Sequence, residues 1–183
     1  KIFLKVAHAC SNLNINIIVV PLVDNGSITN LNELNKFSDF IDNNSELFLE
    51  LNIRVAIESD FEPKKLAKFV KIFDPRIFGI NYDTGNSAAL GFNAEDEFNA
   101  YHERIINIHF KDRVLGGSTV PFGRGDTNFN LLIKLIKETN YNHNFILQGA
   151  RAINNKHSKA LIEYKNFLIN AFNDTLWLNR KLH

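Results

Sequence analysis

The 183-residue sequence is 45% hydrophobic and 22% charged, which is enough apolar content for one globular domain with a core and too much for a disordered chain. Its 21 Lys plus Arg nearly balance 20 Asp plus Glu, for a net charge of +1. No dense basic block appears, so the electrostatic footprint of a nucleic-acid binder is missing and a small charged metabolite is the better partner. The single Cys10 cannot close an internal disulfide and no apolar stretch reaches the roughly 20 residues of a membrane span, so a cytoplasmic protein without a membrane partner is expected. The chain opens at Lys1 and contains no Met, which points to a piece of a longer protein.

In chain order, Ile2, Phe3, Val6, Ala7 and Cys10 are spaced as one face of a helix over Ile2 to Asn12, on which His8 reads as a surface residue. The β-branched run Ile15 to Val23 predicts a strand that ends at Pro21 and the turn residues Asp24-Asn25-Gly26, with Asp24 a weak site candidate. Asn30 with Glu33 resembles a capping box that opens an amphipathic helical region to about Asn52. Arg54 to Glu58 predicts a strand, and Glu62-Pro63 starts a helix that Asp74-Pro75 ends. Ile77 to Asp83 is the next strand, followed by the turn-rich Thr84-Gly85-Asn86-Ser87 and a helix from Glu95 to Arg104. Ile105 to Phe110 is a strand running into polar residues, and Val114 to Thr127 a long glycine-rich loop. Phe129, Leu132, Ile133 and Ile136 mark a helix, Phe145 to Leu147 the last strand, and Ala160 to Phe172 the last long helix.

Near-continuous apolar strands separated by single helices predict parallel β/α units. On pattern alone they suit a doubly wound sheet or a (β/α)8 barrel equally well. The polar residues add a second signal, because barrels collect their chemistry from the ends of several strands. Successive strands here end in Glu58, Asp83, His109 and Gln148. Glu58, Asp83 and His109 are hard or borderline ligands of the kind that hold a divalent cation, and parallel strand ends bring such residues together without a short motif. Singly, each has a plainer reading as a loop cap or a half-buried polar residue.

The stretches Asn81-Tyr82-Asp83-Thr84-Gly85-Asn86, Ile108-His109-Phe110-Lys111-Asp112 and Val120-Pro121-Phe122-Gly123-Arg124-Gly125-Asp126 together resemble the sugar phosphate isomerase/epimerase group of the xylose isomerase-like TIM barrels. L-ribulose-5-phosphate and L-xylulose-5-phosphate 3-epimerases or isomerases are the nearest types. The resemblance implies a divalent metal, Mn2+ or Zn2+ with Mg2+ or Co2+ as further options, held by Glu58, Asp83, His109 and, in the fourth position, Gln148. It also implies a sugar or sugar phosphate substrate contacted by Asn81, Asn86, Lys111, Arg113 and Arg151. In this group two Glu side chains act on opposite faces of the substrate. Gln148 replaces the second, and an amide cannot accept the C3 proton. The expectation is therefore aldose–ketose isomerisation through an enediolate in preference to 3-epimerisation, with Glu58 as the single base and Lys111 or Arg113 steadying the oxyanion.

Barrels of this group have eight strands, and the matched units correspond to strands four to eight, so the chain is expected to be one partial barrel domain over residues 1–183. Two open strand edges then call for completion by dimerisation or by a missing N-terminal half. A non-catalytic, degenerate barrel is the alternative reading. An endonuclease IV-type phosphodiesterase ranks lower, because it needs a multi-metal site rich in His and a basic groove. His102, His143, His157 and His183 read as structural or solvated.

Overall fold

The computed structural model describes residues 2–174. One sheet runs through the chain in the order β1 (Ile17–Leu22), β2 (Arg54–Ser59), β3 (Phe78–Asp83), β4 (Ile105–Phe110) and β5 (Asn144–Leu147). Strand order equals chain order, so each helical connection returns the chain to the next place in the sheet, as parallel β/α units require. Ile17 to Leu22 pair in parallel with Arg54 to Ser59, and Val55 to Ile57 with Phe78 to Ile80. Among the described residues no helix is long and apolar enough to cross a membrane.

Contacts group the chain into two compact units, Lys1–Tyr82 with Asn99–Ile108, and Asp83–Phe98 with His109–His183. The first holds α1 (Ile2–Asn12), α2 (Leu31–Asn43), α3 (Ser45–Glu50) and α4 (Pro63–Val70). Its core is Val55, Ala56 and Ile57 of β2 with Phe48, Val70 and Phe78, all completely buried. Aromatic pairs fill the gaps, the Phe73 ring centroid standing 4.3 Å from that of Phe78 in a tilted pair and 5.2 Å from that of Phe69 in an edge-on one. The second unit holds α5 (Thr84–Leu90), α7 (Phe129–Glu138) and α8 (His157–Asn173). Leu132, Ile133 and Ile136 of α7 are buried, and Phe122 stacks on Tyr164 at 4.5 Å. Helix α6 (Ala94–Tyr101) begins in the second unit and ends in the first.

Several expectations are corrected. Pro21 does not end β1 but lies inside it, opposite Glu58. A proline has no N–H to donate and is tolerated because β1 is an end strand. The helical region from Asn30 breaks in two at Asn44, whose φ of −118° and ψ of 11° leave the helical range. Asn30 does cap α2 through Glu33 N–H, and the Glu33 carboxylate also accepts from Thr29 N–H. Thr84 to Ser87 form the first turn of α5 and not a loop, since the Asp83 carboxylate caps the helix by accepting Asn86 N–H at 2.8 Å. The helix expected from Glu95 to Arg104 gives way to a 3-10 turn at His102–Arg104, and α8 begins three residues earlier than expected, at His157. The sheet ends in β1 and β5. Burial separates β5 from the middle strands: every residue of β3 is buried, while Phe145 and Ile146 of β5 are 41% and 45% exposed.

Candidate functional site

Side chains two apart on a strand face the same way. In the first unit this rule sets polar groups below the strand ends: Asn81 is two residues before Asp83, and Asn107 two before His109. Asn107 Nδ2 donates to Asn81 Oδ1 at 2.6 Å, and Asn81 Nδ2 donates to Glu58 Oε2 at 2.9 Å. All three side chains are buried, so each amide satisfies the next and the last fixes the carboxylate of Glu58. Ala56, two residues before Glu58 and also buried, keeps the corresponding place on β2 apolar.

In the second unit Asp83 divides its carboxylate. Oδ1 caps α5, while Oδ2 faces Lys111 Nζ at 3.2 Å and His109 Nδ1 at 3.9 Å. Lys111 Nζ also donates to Asn86 Oδ1 at 3.4 Å, and Arg113 Nη1 donates to the same oxygen at 2.7 Å. Two cations thus share one amide oxygen. Arg113 is further anchored by Gly117 O, which accepts from its Nε at 3.0 Å and its Nη2 at 2.7 Å. The backbone of Lys111 is pinned by Thr84 Oγ1, which accepts its N–H at 2.9 Å and donates to its carbonyl at 2.7 Å.

The loop after Arg113 is organised by Asp112. This fully buried carboxylate accepts N–H from Gly123, Arg124 and Gly125 on Oδ2 and from Thr127 on Oδ1. Gly125 is glycine for lack of space, because a Cβ there would stand 2.3 Å from Asp112 Oδ1.

Glu58, Asp83 and His109 each offer one ligand atom, and these three atoms all lie within 4.8 Å of one another. The xylose isomerase-like TIM barrel family model matches residues 1–164. The chain belongs to that family.

Solved structures with the xylose isomerase-like fold agree. A xylose isomerase domain protein from Planctomyces limnophilus superposes with a TM-score of 0.73 at 17% identity, over 91% of this chain and 63% of its own. The IOLI protein, solved with a zinc atom, gives a TM-score of 0.77 at 18% identity over 93% and 67%. A sugar phosphate isomerase/epimerase from Parabacteroides distasonis gives 0.65 at 15% over 89% and 62%. At these identities the likeness establishes the fold, and the chain spans just under two thirds of the length of the first and third of these proteins. No curated protein matches the chain in sequence.

The remaining residues singled out in sequence fall outside this cluster or at its margin. Gln148 follows β5, is exposed, and donates its backbone N–H to Phe110 O at 2.9 Å. Gly149 beside it leaves room for a ring, since a Cβ there would meet Tyr164 Cε2 at 2.2 Å. Burial raises the Tyr164 phenol above its usual pKa, and its hydroxyl donates to Ala150 O at 3.3 Å. Arg151 is exposed, as are His8, Asp24 and His143. His102 is half-buried, His157 Nδ1 accepts Ala152 N–H at 3.3 Å, and His183 lies outside the described residues. Asn107 and Asp112 are the residues that reading the sequence for function passed over. The first was signalled by a polar residue amid isoleucines two places before a candidate ligand, the second by four glycines in the following loop.

Proposed function

We propose that Glu58, Asp83 and His109 hold a divalent cation, Mn2+ or Zn2+, and that the chain carries the catalytic end of an enzyme that isomerises or epimerises sugars or sugar phosphates. The observation that carries this reading is the convergence of two carboxylates and an imidazole from three consecutive strands. That donor set fits the cation, being hard and borderline ligands. When bound, the cation supplies Lewis acidity at the substrate carbonyl and its neighbouring hydroxyl.

The chain's own residues then have separable tasks. Glu58, oriented by Asn81, takes the proton from the carbon next to the carbonyl, and the electron pair left behind forms the enediolate. Returning that proton to the adjacent carbon on the same face, while the hydroxyl proton passes to the former carbonyl oxygen, completes an aldose–ketose isomerisation with one carbon base. Lys111 and Arg113 oppose the negative charge that develops on the substrate oxygen, and Asn86 holds both in place. Asn81 and Arg151 are assigned as further substrate contacts, and Gln148 as a neutral fourth ligand. Because Gln148 cannot accept a proton from the far face, isomerisation is favoured over 3-epimerisation. The five units correspond to strands four to eight of the family barrel.

Elemental analysis of the purified chain, followed by incubation with Mn2+ and a panel of ketoses and ketose phosphates in deuterated water, tests the proposal. Bound metal and turnover without inversion at C3 are expected, and Glu58→Gln should slow turnover about a hundred- to ten-thousand-fold. Inversion at C3 with deuterium incorporation would require a second base and refute the one-base version. A protein that binds no metal and leaves every sugar unchanged would establish the non-catalytic reading, which the exposure of Gln148 favours.

A further inference from the structure

We propose that Lys111 sets the metal affinity of this site and that its ammonium turns to an anionic substrate only after a cation has taken Asp83. The inference rests on the metal-centre reading above. Lys111 Nζ, at 3.2 Å, donates to Asp83 Oδ2, the same carboxylate oxygen that faces His109 Nδ1 at 3.9 Å. The ammonium and a divalent cation are therefore competitors for one oxygen. An ion ligated at about 2.0–2.2 Å would stand beside a unit positive charge, and the surroundings screen that repulsion weakly, because the side chains of Lys111 and Asp83 are only 14% and 1% exposed.

Lys111 has a defined place to go. Asn86 Oδ1 lies 3.4 Å from Nζ and already receives Arg113 Nη1 at 2.7 Å. The movement is confined to the end of the side chain. Thr84 Oγ1 pins the backbone on both its N–H and its carbonyl, and Thr127 Oγ1 donates to the same carbonyl at 3.1 Å. The stem lies over Gly85, where a Cβ would come within 2.7 Å of Lys111 Cγ. With its stem held, the ammonium pivots between a carboxylate and an amide oxygen. Released from Asp83, it joins the Arg113 guanidinium, and two neighbouring cations on one neutral acceptor attract an anion. Loading is thus ordered, cation first and anionic sugar second, which favours a phosphorylated or otherwise acidic substrate over a neutral one.

Calorimetric titration of Mn2+ into the wild-type chain, Lys111→Met and Asp83→Asn tests this without recourse to turnover. Met keeps the stem over Gly85 and removes the competing charge. Outer-shell partners shift metal affinity by about 10–100-fold, so Lys111→Met should bind Mn2+ about tenfold more tightly and Asp83→Asn should lose binding. If Asp83→Asn loses binding while Lys111→Met binds equally or less tightly, the exchange is overturned and the metal site stands. If no protein binds Mn2+, or Asp83→Asn binds like wild type, the site reading and the exchange fall together. A second measurement does not depend on the variant's stability. In reductively 13C-methylated protein, the Lys111 signal, assigned by its loss in Lys111→Met, should shift on addition of Zn2+. An unmoved signal under saturating Zn2+ overturns the proposal.

Discussion

Asp112 takes four backbone N–H groups into one carboxylate with no solvent exposure. Hydrogen bonds to a charged acceptor contribute about 1.5–3 kcal/mol each before non-additivity, and an unsatisfied buried donor costs about 1–3 kcal/mol. In Asp112→Asn the amide nitrogen must face donors on one side, so the variant should lose about 2–4 kcal/mol, read as a lower urea midpoint at unchanged slope. Its neighbours Lys111 and Arg113 reach the Asn86 side, so the change should also weaken Mn2+ binding only slightly, a split that separates holding the loop from holding the ion. The polar relay from Asn107 through Asn81 to Glu58 makes a different prediction. Asn107→Ala leaves Asn81 Oδ1 without this donor and should destabilise by about 1–2 kcal/mol while slowing turnover, because the amide that orients Glu58 can then flip.

At the scale of elements, α5 shows how a helix and a site share one residue. Asp83 ends β3 and caps α5, so the same carboxylate that closes the helix N-terminus points its other oxygen at Lys111 and His109. Gly91 closes the other end with φ of 72°, a left-handed conformation in which any side chain is strained. Gly91→Ala should cost about 1 kcal/mol, measurable by thermal unfolding, with no change in metal binding. Local composition misread this element because Thr84, Gly85, Asn86 and Ser87 individually prefer turns. The bond that overrides them comes from Asp83, which lies outside the helix. The strands were easier. Val55 to Ile57, Ile105 with Ile106, and Phe145 to Leu147 are apolar without alternation, and that is how strands of a parallel sheet read. The cluster of Glu58, Asp83 and His109, proposed above as ligands, was visible in the sequence as polar breaks at the ends of apolar runs. Asn107 and Asp112 were not, since their importance lies in partners 26 residues back for Asn107 and 11 to 15 residues ahead for Asp112.

For the molecule as a whole, burial is uneven along the sheet. All six residues of β3 are buried, whereas β5 has only Leu147 better than exposed. Local opening follows burial, so amides of β5 should exchange with deuterated solvent faster than those of β2 and β3, and mass spectrometry of peptides covering 54–59, 78–83 and 144–147 would show it. Equal protection in all three would mean that β5 is covered in solution. The loop of residues 113–127 carries a consequence of another kind, one of sequence tolerance. Its backbone is gathered chiefly by Asp112, with Arg113 donating to Gly117 O and Asp126 accepting Leu115 N–H, so side chains more than helix or strand hold its course. The side chains of Leu115, Ser118 and Arg124 lie exposed and contribute nothing to that cage. Directed evolution could rewrite these positions to change what the protein selects, with Asp112 keeping the fold of the loop constant beneath each new surface.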